Sequence, residues 1–150
     1  MLFRSAEPSA ERGWQLLRTK TYLPPDFDQQ VFDNLWQAWP SPERERAAAA
    51  TLAERRQLTF SRYGLIEAPD SDGKGPALGY VDDGQSGWVM NCLACHGGKV
   101  AGRVIPGLGN SHTALHSLTE DVRITKLKSD RKSTRLNSSH IPLSRMPSSA

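Results

Sequence analysis

Cysteine is almost missing: the 150 residues contain two, Cys92 and Cys95. Two cysteines three residues apart cannot staple distant parts of a chain, so a disulfide framework is excluded and a chemical use is favoured. No apolar run reaches the roughly 18 residues that a membrane-spanning helix needs. No internal repeat is visible. Charge of one sign is only slightly in excess, with 19 Lys+Arg against 16 Asp+Glu and a formal net charge of +3.

Even that excess sits at the ends. Asp130 to Ala150 reads DRKSTRLNSSHIPLSRMPSSA. Asp130 to His140 resembles a short-read sequencing adapter translated in one frame. Ser144 to Ala150 continues the same adapter beyond the index stretch Ile141 to Leu143. MLFRS at the head matches the end of the opposite adapter. Residues 1–5 and 130–150 are therefore expected to be adapter-derived and are set apart before fold reasoning. Ala6 to Lys128 is expected to be natural sequence, with Ser129 at the junction. Without Arg4, Arg131, Lys132, Arg135, Arg145 and Asp130, 14 basic residues face 15 acidic ones, a net charge of −1. The basic character disappears, and with it any charge-based reason to expect nucleic acid or an anionic membrane as a partner.

About 120 residues suffice for one small domain. Residues 6–80 are expected to form a helical N-terminal segment and a loop. In PPDFDQQVFDNLWQAWP, Asp26 is a candidate helix cap with Gln29 as its capping-box partner. Phe32, Leu35, Trp36 and Trp39 fall at i, i+3, i+4 and i+7, one helical face, expected to pack in the core. Pro40 ends the run. A second helix is expected from Ser41 as cap and Pro42 as first residue, with Glu43 and Glu45 near its positive end, to about Tyr63, where Gly64 stops it. Asp70, Asp72 and Gly73 suggest half of a calcium loop. With Gly73 at the sixth position, the first and twelfth would be Ala68 and Gly79, neither of which supplies a carboxylate. Turn chemistry accounts for these residues better.

MNCLACHGGK, Met90 to Lys99, carries the chemistry. C-x-x-C-H is a haem-attachment signature. On a helix, Cys92 and Cys95 lie at i and i+3, on one face. C-x-x-C is also half of many zinc sites, although no second pair is present. It is the spacing of redox dithiols as well, a reading that wants a preceding β-strand in a βαβ setting, whereas the residues upstream read as helix or loop.

The surroundings resemble a class I cytochrome c. That family has a glycine, an aromatic and the first cysteine at four-residue intervals, matched by Gly84, Trp88 and Cys92. A proline and then a leucine follow the histidine, matched by Pro106 and Leu108. The resemblance implies an all-α fold, with residues 81–129 as the N-terminal half of a truncated cytochrome c domain. It implies haem c bound covalently by Cys92 and Cys95, with iron ligated by His96. Pro106 would accept a hydrogen bond from His96 Nδ1–H, and Trp88 and Leu108 would contact the haem. The sixth ligand is not evident: Met90 is two residues before Cys92, and His112 and His116 are the remaining candidates. Ser117 and Glu120 form a capping-box pattern that predicts a helix running past Lys126.

Three functions follow from the resemblance. One is electron transfer with an unknown redox partner. The stretch from Ser61 to Asn110 is also similar to large bacterial dihaem proteins, the peroxidase-like and rubber-oxygenase-like cytochromes, which implies part of a dihaem enzyme. A third is an electron-input module fused to another enzyme. Haem c implies a periplasmic or otherwise exported location.

Overall fold

The computed structural model describes residues 8–69, 71–85 and 87–138, with side chains as far as Arg131. The two ends set apart above fall largely outside this range, as does Asp70 of the suspected calcium loop.

Short polar side chains start the helices. Ser9 opens α1 (Ala10–Thr19), its hydroxyl accepting from the Arg12 N–H at 3.1 Å. None of the residues of α1 is buried. Asp28 opens α2 (Gln29–Asn34), accepting from the Val31 N–H at 2.7 Å. The expected cap, Asp26, is used differently: its N–H donates to the Trp88 carbonyl at 2.8 Å. The helix passes into a 3₁₀ turn (Leu35–Ala38). The expected apolar face is largely the core face, since Phe32, Leu35 and Trp39 are buried.

The single helix expected over 41–63 is two, α3 (Glu43–Ala49) and α4 (Leu52–Tyr63). The break comes from Thr51. Its hydroxyl accepts from the Glu54 N–H at 3.3 Å, and the Glu54 carboxylate accepts from the Thr51 N–H at 2.8 Å. This reciprocal cap satisfies amide donors that would otherwise be orphaned, so starting a new helix here is cheap. Gly64 ends α4 as expected, at φ +62°. A Cβ there would also lie 1.9 Å from the His112 carbonyl oxygen, so no other residue fits. Arg56, buried on α4, pins the following loop: Nη2 reaches Glu67 at 2.8 Å and Nη1 donates to the Gly75 carbonyl at 2.9 Å.

The all-α expectation is overturned. β1 (Tyr80–Asp82) pairs antiparallel with β2 (Trp88–Met90), and β3 (Gly97–Val100) with β4 (Arg103–Pro106). The helix expected to carry Gly84, Trp88 and Cys92 does not exist: Gly84 lies in the β1–β2 turn and Trp88 on β2. Asx chemistry makes the turn. Asp82 Oδ1 accepts from the Gly84 N–H at 2.8 Å, and Asp83 Oδ1 from the Gln85 and Gly87 N–H groups at 2.9 Å. The flanking Tyr-Val and Trp-Val pairs favour a pleated, half-buried strand. The second hairpin turns through Ala101 and Gly102, both at positive φ (48° and 81°), the dihedral signature of a tight hairpin turn.

The two layers meet in an aromatic cluster. Trp88 lies 5.0 Å from Phe32 and 5.6 Å from Phe27, centroid to centroid, and Phe27 lies 5.4 Å from Tyr80. Phe27 also bridges to Trp88 through the backbone, an isolated antiparallel bridge that ties the chain before α2 to β2.

α6 (Leu115–Ser138) closes the core with Leu118, Val122 and Thr125. It starts two residues before the expected Ser117, and Glu120 is taken by Arg123 instead of a cap. Its buried link runs from the Trp39 Nε1–H to the Tyr63 hydroxyl at 2.7 Å, then from the Tyr63 O–H to Asp121 Oδ2 at 2.6 Å. Burial first, and then the Asp121 carboxylate, push the Tyr63 phenol well above its usual range. Tyr63 therefore stays a neutral donor.

Three stability effects are expected. Tyr63→Phe strands the buried Trp39 indole N–H and takes one donor from the Asp121 carboxylate, which keeps Arg62 at 3.6 Å, so urea melts should show a loss of about 1–3 kcal/mol. Glu54 is held below its ordinary value by the Thr51 N–H and hydroxyl. Its contribution is present above the unfolded carboxylate pKa and lost as pH falls through the folded one. The stability gap between wild type and Glu54→Gln should therefore shrink on acidification; a gap independent of pH would show that the ionised cap contributes nothing. Ala101→Asn relieves a left-handed alanine and should stabilise by up to about 1 kcal/mol in the same melts.

Candidate functional site

Met90 ends β2, and the chain turns at once into the one-turn helix α5 (Leu93–His96). Asn91 makes the turn. Its N–H donates to the Gly79 carbonyl at 2.8 Å, its Oδ1 accepts from the Leu93 N–H at 2.9 Å, and its carbonyl accepts from the Ala94 N–H at 3.1 Å. The His96 N–H then donates to the Cys92 carbonyl at 2.9 Å. Gly79 permits the approach, because a Cβ at that position would lie 2.0 Å from the Ala94 nitrogen.

Leu93 and Ala94 point inward and are buried, whereas Cys92, Cys95 and His96 are exposed. The turn is also held from behind. The Cys95 carbonyl accepts from the Asn110 N–H at 2.8 Å, the His96 carbonyl from the Gly107 N–H at 2.7 Å, and the Ala94 carbonyl from the Thr113 hydroxyl at 3.3 Å. Backbone bonds thus fix the segment on two sides and leave both sulfurs facing outward.

Tyr80 is the buried titratable neighbour. Burial raises its phenol above the usual range, and the Asp26 carboxylate and Cys95 raise it further. Tyr80 therefore stays a neutral phenol.

The other expected residues are placed as follows. Trp88 is 1% exposed, at the centre of the core rather than beside the thiols. Pro106 sits opposite Gly97 in the β3–β4 register and is exposed. Leu108 is 39% exposed, its side chain lying over Gly98. His112 and His116 are exposed, and Ser111 Oγ lies 3.4 Å from His112 Nδ1. In the suspected calcium loop, the Ser71 hydroxyl donates to the Lys74 carbonyl at 2.8 Å and accepts from the Gly73 N–H at 3.2 Å. That is the turn chemistry expected there.

These positions correct the cytochrome reading. The Cys92-x-x-Cys95-His96 run stands in the sequence, but the helix that would carry it in a class I cytochrome c is replaced by a hairpin and a single turn. Neither His112 nor His116 is gathered with His96 and the cysteines. Among the described residues, no group of three or more His, Cys, Asp or Glu is arranged to hold a metal ion. The residues do not fit covalent haem c and iron as the resemblance implied. Electron transfer through haem, the dihaem enzyme and the haem input module fall with it, and so does half of a zinc site completed within these residues.

Sequence reasoning missed the residues that build the site: Gly79, Asn91, Asn110 and Thr113. Asn91 had a readable signal, since an asparagine accepting from the amide two residues on is common turn chemistry. The others act over long sequence separations and leave no local pattern.

Among the described residues, no helix is long and apolar enough to cross a membrane. Comparison with protein-family models, curated proteins and solved structures finds no match.

Proposed function

We propose that Cys92 and Cys95 act as a surface dithiol that exchanges two electrons with a disulfide of an external partner. The observation that carries this reading is the joint exposure of the two thiols on one rigidly bonded turn. A strand, β2, leads directly into that turn, although in an antiparallel hairpin and not in the βαβ setting of thioredoxin-like pairs.

The chemistry balances within the pair and its substrate. One thiol loses its proton, and the thiolate attacks a sulfur of the partner disulfide, forming a mixed disulfide and expelling the first partner thiolate. The second thiol, also deprotonated, attacks the protein sulfur of the mixed disulfide. The Cys92–Cys95 disulfide forms and the second partner thiolate leaves. The two released protons return to the partner thiolates. The protein is oxidised and the partner disulfide reduced to two thiols.

The spacing permits ring closure. Side chains at i and i+3 on a helical turn have Cβ atoms about 5–6 Å apart. A disulfide needs about 3.8 Å. A modest tightening of the turn closes the difference.

The test equilibrates the full chain in mixtures of reduced and oxidised glutathione and weighs the intact protein after acid quenching. An internal Cys92–Cys95 disulfide is expected, in reversible equilibrium with the dithiol. Cys95→Ser is expected to accumulate the mixed disulfide on Cys92. Oxidation that yields only glutathione adducts or linked dimers would overturn the reading.

A further inference from the structure

We infer that Asn91 is the positioning residue of the thiol pair, and that its amide ties the pair to α1. The consequence for reactivity rests on the dithiol reading; the consequence for geometry does not.

Asn91 uses every polar group it has. Its backbone and Oδ1 build the turn that carries both sulfurs, as described above. Its Nδ2–H donates in the opposite direction, to the Leu17 carbonyl at 2.6 Å. Leu17 lies near the end of α1, the helix with no buried residue. A cleft of about 380 Å³ separates that end of α1 from β1 and the start of α5, with Leu17, Val81, Asn91 and Leu93 among its walls. One side chain therefore bridges α1 and the turn that sets the distance between the sulfurs.

The Leu93 N–H is the group at stake. Leu93 is 4% exposed, so water replaces a lost acceptor poorly. Without Oδ1, the turn must open to satisfy that amide. Opening it spreads the distances between the sulfurs and lowers the probability that both engage one reagent. Asn91 bonds α1 directly to the turn that carries both cysteines, and through that bond the seating of α1 and the state of the pair affect each other.

Two variants separate the two halves of the amide. Asn91→Ala removes both bonds. Asn91→Ser restores a short neutral oxygen able to accept from the amide two residues on, but it does not reach Leu17.

Two readouts are used on each protein: the disulfide equilibrium constant against glutathione, and the affinity for a trivalent phenylarsenical that must bind both thiols at once. Asn91→Ala is expected to weaken both by about tenfold, the equivalent of one lost hydrogen bond to a buried amide. Asn91→Ser is expected to recover most of the loss in both. Amide exchange over residues 10–19 should speed up in Asn91→Ala and Asn91→Ser alike. Both readouts within twofold of wild type in Asn91→Ala would overturn the inference. So would a loss that Asn91→Ser fails to recover. A wild type that binds the arsenical but forms no internal disulfide sinks the dithiol function alone, and the arsenical series still decides the role of Asn91.

Discussion

Trp88 is the residue at which main-chain pairing and side-chain packing constrain each other. Its backbone pairs with Asp82 on one side and Phe27 on the other. Its ring is enclosed between Phe27 and Phe32. A slip of one residue in β2 would turn that ring to solvent, because side chains alternate across a strand. Burial of a large aromatic thus pins the register. The register in turn places Asn91 beside Gly79, and that bond anchors the start of the thiol-bearing turn.

A second anchor acts from the helical side. The chain of hydrogen bonds from Trp39 through Tyr63 to Asp121 joins the first core helices to α6 across the interior. The segment between β4 and α6 is clamped to the end of α4, with the Asn110 amide donating to the Gly64 carbonyl at 2.8 Å and the Ala114 N–H to the Tyr63 carbonyl at 3.0 Å. That clamp brings the Asn110 N–H under Cys95. The exposed cysteines are thus supported by residues from both ends of the described chain. A polar network inside the core and a reactive turn at the surface are parts of one construction.

Much of the helical half was legible. The Phe32, Leu35 and Trp39 spacing marked a core face, and Gly64 marked a stop. The errors were local in kind. Asp26 and Asp28 are both capable caps, and only the pairing of residue 26 with Trp88 decides between them. Thr51 and Glu54 carried a capping box inside a run of helix formers, where propensity drowned the signal. The sheets were not legible for a physical reason. A spacing of four fits one face of a helix, but it is also an even number and fits one face of a strand. Gly84, Trp88 and Cys92 therefore could not distinguish the two. The strands are only three or four residues long, too short for their alternation to stand out.

The sequence by itself determined the reactive inventory: two thiols three residues apart with an imidazole next to them. It also determined the helix ends at Ser9, Thr51 and Gly64, because a cap needs only groups within about four residues of one another. Tertiary structure decided what that inventory amounts to. It put Trp88 in the core rather than beside the cysteines, turned Leu93 inward and both thiols outward, and left His112 and His116 apart from His96. Those choices depend on bonds such as Asn91 to Leu17 and Tyr63 to Asp121, which join residues 74 and 58 positions apart. Contacts of that range are made only once the chain has paid the entropy of closing large loops, and no local motif records which of them form.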